Sequence, residues 1–173
     1  TGVASRLASL FAHRSVVDLG CGVGQYGRYF KENASNVHWV GVDGAEMVEE
    51  ATSGLVRFAD LSVGLPSWLV RSKRPDWVMS IEVIEHVPRE HEAAFLFNLI
   101  SLRPRDGILL SWARPSQPGF HHVNCQTIEY ASCVMSAAGY QADEPLSTEL
   151  RSIAEHSECR WLRRTLMAFR TAR

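Results

Sequence analysis

The 173-residue sequence has only four cysteines, Cys21, Cys125, Cys133 and Cys159, with no paired spacing and no C-x-x-C. That scarcity excludes a metal knuckle and argues against a disulfide framework, so a reducing, cytoplasmic setting is expected. No apolar run approaches the ~20 residues of a membrane span, and no signal-peptide pattern opens the sequence. The chain begins inside a helical pattern, as an excised fragment does, so a targeting segment ahead of Thr1 would not be seen. An excess of one charge is also missing: 18 Lys and Arg oppose 19 Asp and Glu, a formal net charge of −1. Such balance does not mark the chain as a binder of nucleic acid or membrane surfaces. The local exception is Arg160, Arg163, Arg164, Arg170 and Arg173, a C-terminal cluster without an intervening acid, which reads as a solvated face. Repeats and low-complexity segments are absent. The length corresponds to one domain, residues 1–173. It suffices for a sheet covered on both faces but leaves no room for a dehydrogenase's second domain.

What the sequence does have is alternation. Apolar bursts trade places with helical patterns, which predicts an α/β, doubly wound, Rossmann-like and largely parallel sheet. Residues 3–13 carry Val3, Leu7, Leu10 and Phe11 at helical spacing. Strands are expected at Ser15–Leu19, Val37–Val42, Val56–Ala59, Trp77–Ile81, Ile108–Trp112, Gln141–Asp143 and Thr165–Arg170. Helices are expected from Gly24 to Lys31, from Glu46, over Glu90–Leu102, over Ile128–Ala138 with Gly139 as its cap, and over Thr148–Arg160. Trp39, Trp68, Trp77 and Trp161 read as core or semi-buried packing, and Tyr26 and Phe30 as packing of the first crossover helix.

The run Val16-Val17-Asp18-Leu19-Gly20-Cys21-Gly22-Val23-Gly24 turns from an apolar strand through three glycines into a helix. Turns of this kind build nucleotide sites at the carboxyl edge of a sheet. A pyrophosphate would be repelled by the carboxylate of Asp18, whereas a ligand bearing an ammonium and a sulfonium would be attracted. That favours S-adenosylmethionine. Gly22-Val23-Gly24-Gln25-Tyr26-Gly27 also satisfies the dinucleotide pattern G-x-G-x-x-G, so nicotinamide or flavin stays open. Two more acids end strands. Asp43, 23 residues after Gly20, is placed to accept ribose hydroxyls with Gly44 beside it. Asp60 with Leu61 suits an adenine slot. Each acid alone is often a cap or turn residue; three in order are harder to assign that way.

Together VVDLGCGVG, the acid of GVDG, the acid of FADLS and DWVMSIEVIEHVP make the chain resemble the class I S-adenosylmethionine-dependent methyltransferases, from Val16 to the last strand. The resemblance implies seven strands with the last antiparallel, and helices on both faces. It further implies that Gly20, Cys21, Gly22 and Gly24 wrap the methionine portion, with Asp18 near its amino group, Asp43 and Gly44 at the ribose, Asp60 and Leu61 at the adenine, and Glu82 near the cofactor. The sulfonium activates its own leaving group, so the protein must chiefly align the acceptor and exclude water.

Glu82-x-x-Glu85-His86 places three polar side chains at helical spacing. The loop after strand five carries His121, His122 and Asn124, and it neighbours the loop after strand four. Glu82, Glu85, His86 and His122 form a candidate site for Mg²⁺, Mn²⁺ or another divalent ion, and with His121 they are the candidate catalytic residues. This segment is similar to small-RNA 2′-O-methyltransferases and in part to ubiquinone-pathway O-methyltransferases; in the former such a group holds a metal that activates a hydroxyl. It also resembles metal-free methyltransferases, where Glu85 and His86 make local hydrogen bonds. Without a basic face or an extra domain, a small-molecule acceptor is expected rather than RNA. Trp112, Arg114 and Gln117 in the same loop are candidates for acceptor recognition, although Trp112 also suits the end of a buried strand and Asn124 a helix cap. The leading function is methyl transfer to an oxygen or nitrogen of a small molecule. A non-catalytic S-adenosylmethionine-binding partner module and a metal-dependent RNA 2′-O-methyltransferase are the alternatives.

Overall fold

The computed structural model describes residues 2–171; the helical opening expected at Thr1 and the last arginine of the C-terminal cluster, Arg173, lie outside the described residues. Strands β1 (Ser15–Leu19), β2 (His38–Asp43), β3 (Val56–Phe58), β4 (Trp77–Ser80), β5 (Gly107–Ser111), β6 (Tyr140–Ala142) and β7 (Leu166–Thr171) form one sheet in the order β3-β2-β1-β4-β5-β7-β6. Strands β1 to β5 pair in parallel, and β7 runs antiparallel to both β5 and β6. This is the mostly parallel sheet with an antiparallel last strand that the sequence implies.

The central strands are apolar at successive positions because both of their faces are covered. Val16, Trp77, Met79 and Leu109 point into a core shared with Val3, Leu7, Phe11, Phe30 and Leu150. These come from α1 (Gly2–Leu10), the turn after it, α2 (Gln25–Asn33) and α7 (Glu144–Glu155). Val17, Leu19, Val78, Ile108 and Leu110 point the other way, onto Phe95, Leu99, Ala131 and Met135 of α5 (Glu92–Ser101) and α6 (Ile128–Ala137). Each such side chain, fully buried, contributes roughly 1.5–3 kcal/mol of transfer free energy. Helices α3 (Val48–Ala51) and α4 (Ser67–Val70) are single turns.

Four expectations need correction. The helix expected over Thr148–Arg160 begins at Glu144, because Asp143 caps it by accepting the Leu146 N–H at 3.0 Å and Pro145 suits its first turn; residues 160–164 form a separate 3-10 turn. Asp143 is therefore a cap and not the end of β6. The helix expected from Glu46 starts only at Val48, since Met47 sits at φ 62. Trp161, expected in or near the core, is 51% exposed. Asn124 caps nothing; Thr127 accepts the Tyr130 N–H and caps α6. α4 has no counterpart among the expected elements.

Candidate functional site

The connection order reverses between β1 and β4, and there the carboxyl ends of the strands open a crevice. The turn after β1 holds Gly20, Gly22 and Gly24 at φ 80, 55 and 78, a left-handed path that glycine adopts without a Cβ clash. The N–H groups of Gly20 and Cys21 both donate to the Val42 carbonyl, at 2.8 and 3.1 Å, stitching the turn to β2. Asp43 extends that link. Its Oδ2 accepts the Gly22 N–H at 2.7 Å and its Oδ1 accepts the Ala45 N–H at 2.8 Å. The loops on either side of the crevice, including exposed Gly44, are thereby tied to one carboxylate, whose oxygens each keep a further lone pair.

Asp18 lies beneath the turn, 2% exposed, and Trp39 Nε1 donates to its Oδ2 at 3.1 Å. Burial pushes its carboxyl up to about 7; the indole bond opposes this and the nearby Asp43 charge adds to it. Burial, together with Asp18, also pushes up the Cys21 thiol. The indole needs room. A Cβ on Gly27 or Gly41 would stand 2.5 or 2.1 Å from its ring. The third glycine of the G-x-G-x-x-G pattern is thus accounted for by a tryptophan's packing. Asp60 is exposed and accepts both the Ser62 N–H (2.9 Å) and hydroxyl (2.6 Å), which hold its pKa below the usual range. Leu61 is part of the core beneath, and its carbonyl accepts from Asn98.

Beyond β4 the chain does not continue as the regular helical turn that the Glu-x-x-Glu-His spacing suggests. Glu82 stands at φ 59, where a side chain costs about 1–2 kcal/mol, and the 3-10 turn begins only at Ile84. The Ser111 hydroxyl compensates: it accepts the Glu82 N–H at 2.7 Å and donates to Glu82 Oε1 at 2.8 Å. Glu82 so aimed lines a cleft of about 480 Å³ with Gln25, Tyr26, Ile81 and Trp161.

Glu85, His86 and His122 converge. One carboxylate oxygen and one nitrogen from each ring lie within 4.8 Å of one another. Glu85 is fully buried and neither of its carboxylate oxygens has a hydrogen-bond partner. Burial, and secondarily the charge of Glu82, raises its pKa. His86 Nδ1 faces the His121 carbonyl at 3.1 Å, and His122 Nδ1 faces the Gln117 carbonyl at 3.3 Å. A carbonyl only accepts, so both Nδ1 atoms donate, which leaves Nε2 of each ring as the atom that could ligate. Imidazoles that ligate metals are usually held in this way. The His121 ring packs against Phe120, with centroids 4.0 Å apart, and contributes its carbonyl rather than its ring. Glu82 is not part of the three-residue convergence. Gly119 is small because the His122 ring passes 2.1 Å from where its Cβ would be.

Three supporting residues, Val123, Glu92 and Tyr130, escape the sequence reading, and they act together with Asn124 and Trp112. Val123 and Asn124 both donate backbone N–H groups to the Glu85 carbonyl, at 2.9 and 3.0 Å. Asn124 Nδ2 donates to buried Glu92 at 2.8 Å, and the Tyr130 hydroxyl donates to its other oxygen. Trp112 Nε1 donates to the Asn124 carbonyl at 2.6 Å. This network pins the histidine loop to α5. The available signal was an acid, Glu92, opening a strongly apolar helix.

The sequence from residue 2 to 141 matches the family model described as Methyltransferase domain. The chain belongs to that family. Its sheet and helices are the class I, Rossmann-like fold of S-adenosylmethionine-dependent methyltransferases. No curated protein matches it in sequence. Among solved structures, the Burkholderia thailandensis 1,6-didemethyltoxoflavin-N1-methyltransferase, with bound 1,6-didemethyltoxoflavin and S-adenosylhomocysteine, is 17% identical with a TM-score of 0.59, covering 98% of this chain and 79% of that one. The methyltransferase domain of bacterial CtHen1-CN is 22% identical with a TM-score of 0.63, covering 98% and 95%. The small RNA methyltransferase HEN1 is 14% identical with a TM-score of 0.70, covering 98% of this chain but 24% of that one.

Proposed function

We propose that this methyltransferase domain moves the methyl group of S-adenosylmethionine to the oxygen, or failing that the nitrogen, of a small-molecule acceptor, and that a divalent ion assists at Glu85, His86 and His122. The supporting observation is the pair of orphaned oxygens on Glu85, buried beside two imidazoles whose Nδ1 atoms are already engaged. An unpaired buried carboxylate is costly, and a cation there satisfies it. The donor set of carboxylate and imidazole suits Mn²⁺ or Mg²⁺.

S-adenosylmethionine, when bound, supplies a methyl group on a positively charged sulfur. The Gly20–Gly24 turn carries its methionine portion, with the negative field of Asp18 behind it. Asp43 accepts the ribose hydroxyls while keeping both loops in place. Asp60, with Leu61 behind it, borders the adenine. Glu85, His86 and His122 would hold a divalent ion, whose positive charge would lower the pKa of a hydroxyl beside it. Glu82, fixed by Ser111 through one oxygen, takes the acceptor's proton with the other. The cleft lined by Tyr26, Ile81 and Trp161 holds the acceptor and excludes water.

The test is methyl transfer from labelled donor to a panel of hydroxyl and amine metabolites, with and without chelator. Methylated hydroxyl product that disappears on chelation, and in Glu85→Ala and His122→Ala, is the expected result. Full activity in chelator removes the metal. Activity on an RNA 3′ end with none on the panel removes the small molecule.

A further inference from the structure

A second cleft, of about 580 Å³, lies between the loop after β5 and the 3-10 turn at residues 160–164. Its lining includes Arg114, Gln117, Thr127, Trp161, Arg163 and Arg164. The volume is that of an ordinary small-molecule site. What sets it apart is positive charge engaged in no ion pair, with only the exposed Glu129 near enough to Arg114 to feel its charge. Among the described residues the ion pairs involve Arg6, Arg14, Arg105, Arg151 and Arg170; Arg114, Arg163 and Arg164 have no carboxylate within 4.0 Å. Arg163 Nη1 donates to the Arg160 carbonyl at 2.8 Å, which orients the fork without neutralising it. Three arginines thus line one concave surface in a chain whose formal net charge is −1.

Trp161 joins this cleft to the site. Its ring, 51% exposed, lines the arginine cleft and also the one that holds Glu82. A large aromatic left open to solvent between a cationic pocket and a candidate catalytic carboxylate offers a flat surface for a ring to lie on.

We infer that the arginine cleft binds a phosphate group on the acceptor, with Trp161 stacking on the adjoining ring so that the hydroxyl to be methylated reaches Glu82. Phosphate fits better than carboxylate for two reasons. It carries close to two negative charges at neutral pH, which three arginines balance more fully. It also presents several oxygens to guanidinium forks that donate in pairs. The acceptor class is then a phosphorylated, ring-containing small molecule. The inference deepens the methyl-transfer reading and rests on it for purpose, although the phosphate site can be tested alone.

The probe is phenyl phosphate, titrated calorimetrically into the domain at constant ionic strength, with benzoate and benzyl alcohol as comparisons. Phenyl phosphate is expected to bind at least tenfold more tightly than benzoate, and benzyl alcohol not measurably. R163Q/R164Q is expected to weaken phenyl phosphate by about tenfold or more, the scale of one lost charge-assisted bond. R163K/R164K, which keeps the charge, should recover part of that loss, and W161A should weaken binding several-fold. S-adenosylhomocysteine affinity should stay constant in all of them, which also reports an intact fold. Equal binding of benzoate and phenyl phosphate overturns the assignment, as does phenyl phosphate affinity unchanged in R163Q/R164Q. Arginine dependence seen only with an RNA oligonucleotide, with no phenyl phosphate binding, overturns it in favour of a polynucleotide surface. Phenyl phosphate binding without any S-adenosylhomocysteine binding would sink the methyl-transfer reading and spare the site; the reverse pattern sinks the site alone.

Discussion

Trp39 donates its indole N–H to the carboxylate of Asp18 across 3.1 Å, and that bond joins strand β2 to the floor of the glycine turn. It holds an acid that burial has pushed up to about 7. The group nearest the proposed ammonium site therefore changes charge close to physiological pH.

For an acid whose folded pKa lies above its unfolded value, ~3.9 for Asp, the folded state binds the extra proton. The stability contributed by Asp18 is complete below about pH 4 and is lost as pH rises through about 7, on a scale of about 4 kcal/mol. The ligand-free domain should thus melt at falling temperature as pH rises from 4 to 8. Asp18→Asn should flatten that slope in a series of thermal melts. S-adenosylmethionine should reverse it, because the cation favours the ionised acid; affinity that does not tighten from pH 6 to pH 8 would contradict this placement of the ammonium.

Gly27→Ala drives a methyl group to within 2.5 Å of the Trp39 ring. Overpacking of this kind costs roughly 1–3 kcal/mol, to be read as a shifted urea midpoint. In the Trp39→Ala background the same substitution should cost much less, and an equal cost in both backgrounds would mean that the indole is not what the glycine accommodates.

Asp43→Ala removes the acceptor for the N–H groups of Gly22 and Ala45. S-adenosylhomocysteine affinity should fall by about 1–3 kcal/mol, the usual consequence of unpaired donors. Asp43→Asn keeps one acceptor oxygen and should lose less. Unchanged calorimetric affinity in Asp43→Ala would move the ribose elsewhere.

Glu92→Gln and Tyr130→Phe loosen the anchor of the histidine loop without touching the glycine turn. The divalent-ion concentration for half-maximal methyl transfer should rise on the order of tenfold, as for other losses of outer-shell support. S-adenosylhomocysteine affinity should not move. A parallel loss of both would show that these residues act through general stability.

The strands and the turn were legible because their signals are local. Apolar residues at successive positions of β1, β4 and β5 report a sheet buried on both faces, and glycines at three alternate positions, Gly20, Gly22 and Gly24, report a left-handed path. The start of α7 is marked by Asp143 and Pro145, whereas the helical period alone places it at Thr148. The spacing of Glu82 to Glu85 predicts a helical turn, yet the backbone of Glu82 is left-handed. The spacing brings Glu85 and His86 together, while Glu82 stands beside them on the cleft lined by Tyr26, Ile81 and Trp161.

Sequence alone determined the layered α/β architecture, the order of the three strand-end acids and the membership of the glycine turn, since each depends on residues near one another along the chain. Tertiary structure decided which groups work together: the Trp39 bond to Asp18, the meeting of His122 with Glu85, and the arginines of the 3-10 turn facing Arg114. Those pairings join segments far apart in sequence, and only strand order, register and loop anchoring bring them within reach. A periodic pattern says which face of an element is buried, but not what stands opposite it.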